Sequence, residues 1–400
     1  MTGNPSAGPP PGTAVTVDQA VAIAAQRHLA RDLDGAETIY RQVLQARPNH
    51  PEALHLLGMV ESVRGNKVRA AELVGRSLAL APDNPQALNN YGTVLKGLER
   101  YDEAVASYRR ALALQPDFVE VLCNMGNALS AARRIDEAID AYRRAIALKP
   151  GHYAAYISLG VLYRDEGFPE QAIETFDRAH ALRPDDLVGR FDRALALLVA
   201  GDYARGWDEY ELRWDQDHLK PHRKEFPQPL WRGQDLRDKF ILVHGEQGFG
   251  DTLQFVRYVP LLARQGARVI LAVQPELDRL MGTLEGVHHL HPSGAVVPPF
   301  HCHLPLLSLP RLFGTRVETV PRNVPYLSAE PERVARWAER LGPKKGLRVG
   351  LVWAGVPTFK ADAKRSPKLE PLMPLLEVPG AEFYGLQMGA GRKCLEGRAM

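Results

Sequence analysis

The chain is 400 residues long, 45% apolar and 24% charged, with a formal net charge of +3. This length has room for two or three domains, and so balanced a charge gives no reason by itself to expect a nucleic-acid partner. Three widely spaced cysteines make no disulfide framework, no apolar run approaches the ~18 residues of a membrane span, and the Pro- and Gly-rich start carries no secretory signal. A cytoplasmic location is expected.

Residues 1–16 read as a disordered tail. Over 17–213 the sequence repeats with a 34-residue period. Prolines fall at Pro48, Pro82, Pro116, Pro150 and Pro184, glycines at Gly58, Gly92, Gly126 and Gly160, and alanines at Ala36, Ala70, Ala104, Ala138 and Ala172. A fourth register holds Tyr40, Val74, Tyr108, Tyr142, Phe176 and Tyr210. Four registers in step are the tetratricopeptide pattern. Each unit is expected to be two antiparallel helices that cross where Gly and Ala leave room. The large residue fills the space between one pair and the next, and proline ends the second helix because it supplies no N–H. One pair cannot bury its apolar faces alone, so an all-α solenoid of about six units follows. The degenerate sixth unit is expected to rest on what comes after it.

The array offers a concave face. Asn90 and Asn124 share one repeat position, and Asn127 lies three residues beyond Asn124 on the same helix face. A carboxamide both donates and accepts, so these three can hold the backbone of an extended peptide whatever its side chains. A solvated polar face is the plainer alternative.

Residues 214–237 carry three prolines and a basic cluster, Lys220, His222, Arg223 and Lys224. They read as an ordered linker in which Phe226, Leu230 and Trp231 pack down. The cluster suits phosphate, or simply a solvated linker face. Residues 240–255, FILVHGEQGFGDTLQF, follow: an apolar strand, a turn with Gly245, Gly248 and Gly250, then Asp251 and an amphipathic segment over 252–263. Strand, Gly-rich turn and helix open an α/β lobe, here 238–342, and aim backbone N–H groups and a positive dipole end at a ligand. Further strands are expected at 267–273, 287–291, 301–307 and 323–328, and helices at 277–284 and 331–341. The G-x-x-G-x-G spacing, with no acid closing the second strand, argues against a dinucleotide. His288, His289, His291, His301 and His303 read as core or surface histidines, and no metal is assigned.

Four segments carry a resemblance: FPQPLWRGQDL, ILVHGEQGFGDTLQFVRYVPLLARQGARV, HCHLPLLSLPRLFGT and RVGLVWAGVPTFKADAKRSPKLEPL. With the repeats, they are similar to a bacterial family that fuses tetratricopeptide repeats to a glycosyltransferase domain of two Rossmann-like lobes. The layout resembles O-GlcNAc transferase, whose arm bears asparagine ladders. The catalytic domain is similar to the ADP-heptose:lipopolysaccharide heptosyltransferases. The resemblance implies a B-type, inverting, metal-independent enzyme without a cofactor. It would move a sugar from a nucleotide-sugar donor to a protein or glycan acceptor recruited by the arm.

On that resemblance, Gly250-Asp251 matches the pair whose acid is the general base. A carboxylate at a cleft-facing turn can take the acceptor's proton, yet a helix dipole weakens it as a base. A simple cap before Thr252 is the alternative for Asp251. Gly248, Gly250, Gln254 and His244 fall on the acceptor side. Lys364, Arg365 and Ser366 fall in the loop after the strand at 347–352, where the donor phosphates would be held. The residues from 343 to 400 are too few for a nucleotide-binding lobe, so the second lobe reads as incomplete. That leaves an alternative function, a tetratricopeptide scaffold for protein–protein interaction with an inactive catalytic domain.

Overall fold

The computed structural model describes residues 15–217, 219–292, 294–355, 362, 366–367 and 369–395. Its first part is six antiparallel helix pairs: α1 (Val17–Leu29) with α2 (Leu33–Ala46), α3 (Pro51–Val63) with α4 (Lys67–Leu80), α5 (Pro85–Gly97) with α6 (Tyr101–Leu114), α7 (Val119–Ala131) with α8 (Ile135–Leu148), α9 (Tyr153–Asp165) with α10 (Pro169–Leu182), and α11 (Leu187–Val199) with α12 (Tyr203–Tyr210). Shorter elements follow: β1 (Phe240–His244), α13 (Phe249–Phe255), α14 (Val259–Arg264), β2 (Arg268–Ala272), α15 (Asp278–Met281), β3 (Val287–Leu290), β4 (Cys302–Pro305), α16 (Leu309–Leu312), α17 (Pro331–Leu341), β5 (Leu347–Leu351) and β6 (Ala381–Gly385). No helix among the described residues is long and apolar enough to cross a membrane.

Local chemistry sets the helix boundaries. Arg47, Ala81, Gln115, Lys149 and Arg183 close the second helices with φ of −135 to −140° and ψ of 80 to 89°. A proline follows each, and its ring excludes the helical conformation from the residue before it. Within each pair, one linking residue is left-handed: Arg31, Gly65, Glu99, Arg133, Gly167 and Gly201, with φ from +62 to +88°. Glycine adopts this at no steric cost, whereas Arg31, Glu99 and Arg133 are strained.

The crossings are tighter than the sequence suggested. A Cβ added to Gly92 or Gly126 would fall 2.6 Å from the ring of Tyr108 or Tyr142, and one added to Gly160 would fall 2.7 Å from Phe176. The large residue therefore seats on the glycine of its own pair, a correction to the reading that put it between pairs. A register that the sequence reading missed ties the pairs together. The guanidinium groups of Arg76, Arg110 and Arg144 donate to the carbonyls of Pro48, Pro82 and Pro116 at 3.4, 3.4 and 2.7 Å. Successive first helices pack on each other, and each second helix packs on the next first helix. The first helices thus line the inner side of the array.

Two compact units divide the described chain. The first extends past the array through Gln234 and takes in His244–Tyr258 and Cys302–Pro321. Here the sixth pair rests on later segments, as its degenerate sequence implied: α12 packs on α16, and the Trp207 and Phe255 rings meet edge-on at 5.7 Å. In the linker Trp231 is buried, and its backbone N–H donates to the His303 carbonyl at 2.9 Å. Phe226 is half-buried, while Leu230, expected to pack down, is 36% exposed.

The second unit holds Asp235–Val243, Val259–His301 and the described residues from Arg322 onward. Its strands run in the order β3-β2-β1, with β2 and β3 parallel, and β5 pairs parallel with β6 in a separate sheet. The C-terminal region is thus a smaller body with a few short parallel strands. The segment 323–328 is not a strand; Pro325 at its centre cannot donate to a ladder. The helix expected over 277–284 is a single turn, Asp278–Met281.

Candidate functional site

The inner face of the array is built from residues one helical turn apart on the first helices. On α5 these are Gln86, Asn90 and Thr93, and on α7 Glu120, Asn124 and Asn127. All three expected asparagines lie on this face, half-buried. Asn124 and Asn127 each have one end of the amide engaged, whereas Asn90 has both, its Oδ1 accepting from Gln86 Nε2 at 3.4 Å. Asn90 Nδ2 lies 2.9 Å from His55 Nε2, Asn124 Nδ2 donates to Asn89 Oδ1 at 3.0 Å, and Asn127 Oδ1 accepts from the Tyr142 hydroxyl at 2.7 Å. His55 and Asn89 are buried, and burial holds the His55 ring below its ordinary pKa, so it is neutral and can accept. These pairs join α3 to α5 and α5 to α7. Sequence reasoning missed His55 and Asn89, although a polar residue at an otherwise apolar register was the signal. Asn124 Oδ1 and Asn127 Nδ2 have no partner among the described residues, which leaves an acceptor and a donor on the inner face.

The Gly-rich turn between β1 and α13 is committed to packing. Its Glu246 is buried against Arg213, itself fully buried. Arg213 Nε and Nη2 reach the two carboxylate oxygens of Glu246 at 3.1 Å each. Arg213 also donates to Glu211 Oε1 at 2.8 Å, Ser308 Oγ at 2.7 Å and the Tyr210 carbonyl at 3.3 Å. Its guanidinium lies over the Trp214 ring at 4.6 Å. Glu246 Oε1 accepts from the Leu307 N–H at 3.0 Å. Burial pushes the Glu246 carboxyl up, and Arg213 opposes that. Gln247 Nε2 donates to the Tyr210 hydroxyl at 3.0 Å. No sequence register pointed to Arg213, because it lies where the repeat pattern has decayed.

Gly248 is the cap of α13, and its N–H donates to Asp251 Oδ2 at 3.1 Å. Asp251 is therefore the reciprocal partner inside the first turn, not a cap standing before Thr252. Gly248 has an ordinary φ of −73°, and a Cβ on Gly250 would meet nothing within 4 Å. The chain's own packing thus requires neither glycine. His244 is buried, with Nε2 3.4 Å from His303 Nδ1, and Phe226 packs on both rings. Burial, with the nearby Lys224 charge, pushes His244 down to about 3, so its ring is neutral. Gln254 is exposed and borders a shallow pocket with Arg164, Asp165, Leu195 and Trp207, at the far end of the array.

Of the expected donor-side residues, Lys364 and Arg365 lie outside the described residues. Ser366, in the second unit, donates to Asp362 Oδ1 at 2.6 Å and accepts from the Gly355 N–H at 2.8 Å. Among the histidines, His301 Nδ1 accepts from the Phe240 N–H at 3.0 Å. No group of three metal-ligating side chains occurs among the described residues.

Comparisons with known proteins bear on the array. Tetratricopeptide-repeat profiles match residues 30–85 and 123–186, and a TPR-repeat profile matches residues 92–132. The chain is 31% identical over 225 residues to Protein FlbA of Caulobacter vibrioides, an alignment covering 50% of this chain and 37% of that protein. It therefore spans little more than a third of that relative. Among solved structures it is similar to MamA (28% identity, 40% of this chain and 95% of MamA, TM-score 0.38). It is also similar to YrrB, a TPR protein with an unusual peptide-binding site (24%, 46% and 92%, TM-score 0.39). A third is PilW, a type IV pilus biogenesis factor (19%, 52% and 95%, TM-score 0.47). The chain carries tetratricopeptide repeats, of the kind used in protein–protein interaction.

Proposed function

We propose, from this array of tetratricopeptide repeats, that the chain is an interaction scaffold that takes an extended peptide segment along its first-helix face. The carrying observation is the unspent amide pair, Asn124 Oδ1 and Asn127 Nδ2. An acceptor and a donor one helical turn apart can meet the N–H and C=O of a strand-like segment without regard to its side chains. Leu56, Met59 and Val63 on α3 and Val161 on α9 are only partly covered, and they supply apolar contacts on either side. The test is selection from a displayed random-peptide library with the full chain. Enriched peptides should lose about ten-fold in affinity, roughly 1.4 kcal/mol, on Asn124→Ala/Asn127→Ala. They should be indifferent to Arg69→Ala on the outer side. Peptides insensitive to the asparagine change, or no enrichment at all, would remove this reading.

A second reading is sugar transfer from a nucleotide-sugar donor, with Asp251 as general base and Lys364, Arg365 and Ser366 toward the donor phosphates. The half-buried Asp251 carboxylate beside the open space at Gly250 favours it. Calorimetry with UDP-, ADP- and GDP-sugars tests it, and turnover surviving Asp251→Asn would remove Asp251 from the role.

A further inference from the structure

We propose that the cavity between the linker and α16, within the first unit, binds a small organic phosphate: a phosphate ester that carries a flat or apolar ring. The cavity measures about 800 Å³, within the range of small-molecule sites. Two kinds of wall meet in it. Arg223, Lys224 and Arg232 supply cations, and Trp214, Phe226 and Trp231 supply aromatic surface.

The charge balance around it selects an anion. Of the acids that line it, Asp208 is bound to Arg311 at 2.8 Å. Glu211 is bound to Arg213 at 2.8 Å and to Ser308 Oγ at 3.1 Å. Glu225 is then the single uncommitted carboxylate facing three cations that have no ion-pair partner among the described residues. The surroundings register the excess. His303, which lines the cavity, is held below the ordinary imidazole range by burial and by the Arg223 charge. Partial burial pushes the Lys224 ammonium down. An anion placed among these groups offsets a local excess of positive charge. Two guanidinium forks and an ammonium match the several oxygens and double charge of a phosphate monoester better than a single carboxylate. The aromatic wall gives the ester's ring a face to stack on. None of these residues belongs to the inner face of the first helices, so the inference is independent of the peptide reading.

Calorimetry on the full chain decides it, with phenyl phosphate, inorganic phosphate and phenol as probes. Phenyl phosphate is expected to bind about ten-fold or more tightly than inorganic phosphate, and phenol not to bind in the same range. Arg223→Gln/Lys224→Gln alters exposed side chains, so its circular dichroism should match the parent. It should weaken phenyl phosphate by about ten-fold or more. Should that variant lose helical signal, Arg232→Gln carries the same test with a smaller loss. Absence of phenyl phosphate binding overturns the proposal. So does equal affinity for inorganic phosphate, which would be a charge patch only, or affinity that the charge removals leave unchanged.

Discussion

Replacing Arg213 by methionine tests whether the Gly-rich turn is held by charge. Methionine keeps an unbranched apolar stem but removes every hydrogen bond of the guanidinium. Glu246, at 1% exposure, would then retain the Leu307 N–H at 3.0 Å and no counter-ion in contact. Breaking a buried pair from one side costs about 3–5 kcal/mol, because a charge is left without compensation. The exposed pair Arg69–Glu72 is the control, and breaking it should cost under about 1 kcal/mol. Removing both buried charges, in Arg213→Met/Glu246→Leu, should cost less than the sum of the single changes. The pH dependence has a definite sign. Burial already holds the Glu246 carboxyl above its unfolded value, and loss of Arg213 raises it further. A group raised in the folded state favours folding below its unfolded pKa and loses that contribution as pH rises through the folded pKa. The variant's deficit relative to the parent should therefore be smaller at about pH 5 than at about pH 8. Urea unfolding followed by tryptophan fluorescence gives the total, and hydrogen exchange at the Leu307 amide gives the local loss. A deficit below about 1 kcal/mol, or one equal at the two pH values, would refute the argument.

Three further outcomes follow from the fold. Gly126→Ala would place a Cβ 2.6 Å from the Tyr142 ring, which its hydroxyl anchors to Asn127. It should cost about 1–3 kcal/mol in urea unfolding, and Tyr142→Ala about 3–5; a silent Gly126→Ala would contradict the crossing described. Glu99 is exposed and left-handed at φ +62°, so Glu99→Gly should raise stability by about 1 kcal/mol, and a loss would speak against strain there. None of the strand residues of β5 and β6 is buried. Their amides should therefore exchange much faster than those of α5–α10, and comparable protection in the two regions would show that something covers these strands.

The array was readable from sequence because its determinants are short-range and repeated. A proline restricts the residue before it, and a glycine makes room for one ring in the next helix. A 34-residue period then copies both. The strands β1 and β2 were also visible as apolar runs, since burial of consecutive residues needs no distant partner to be recognised. What sequence could not supply is how side chains far apart in the chain are paired. The asparagines were found as surface amides, but which end of Asn124 and Asn127 remained available depended on Asn89 in the preceding repeat and on the Tyr142 hydroxyl. Asp251 was found beside its glycine, but its bond to the Gly248 N–H depended on where the helix starts. Arg213 meets Glu246 across 33 residues and Ser308 across 95. Nothing periodic marks any of the three. Their partnership exists only once the chain has closed those loops, because a buried charge must find its counter-ion wherever the fold brings one.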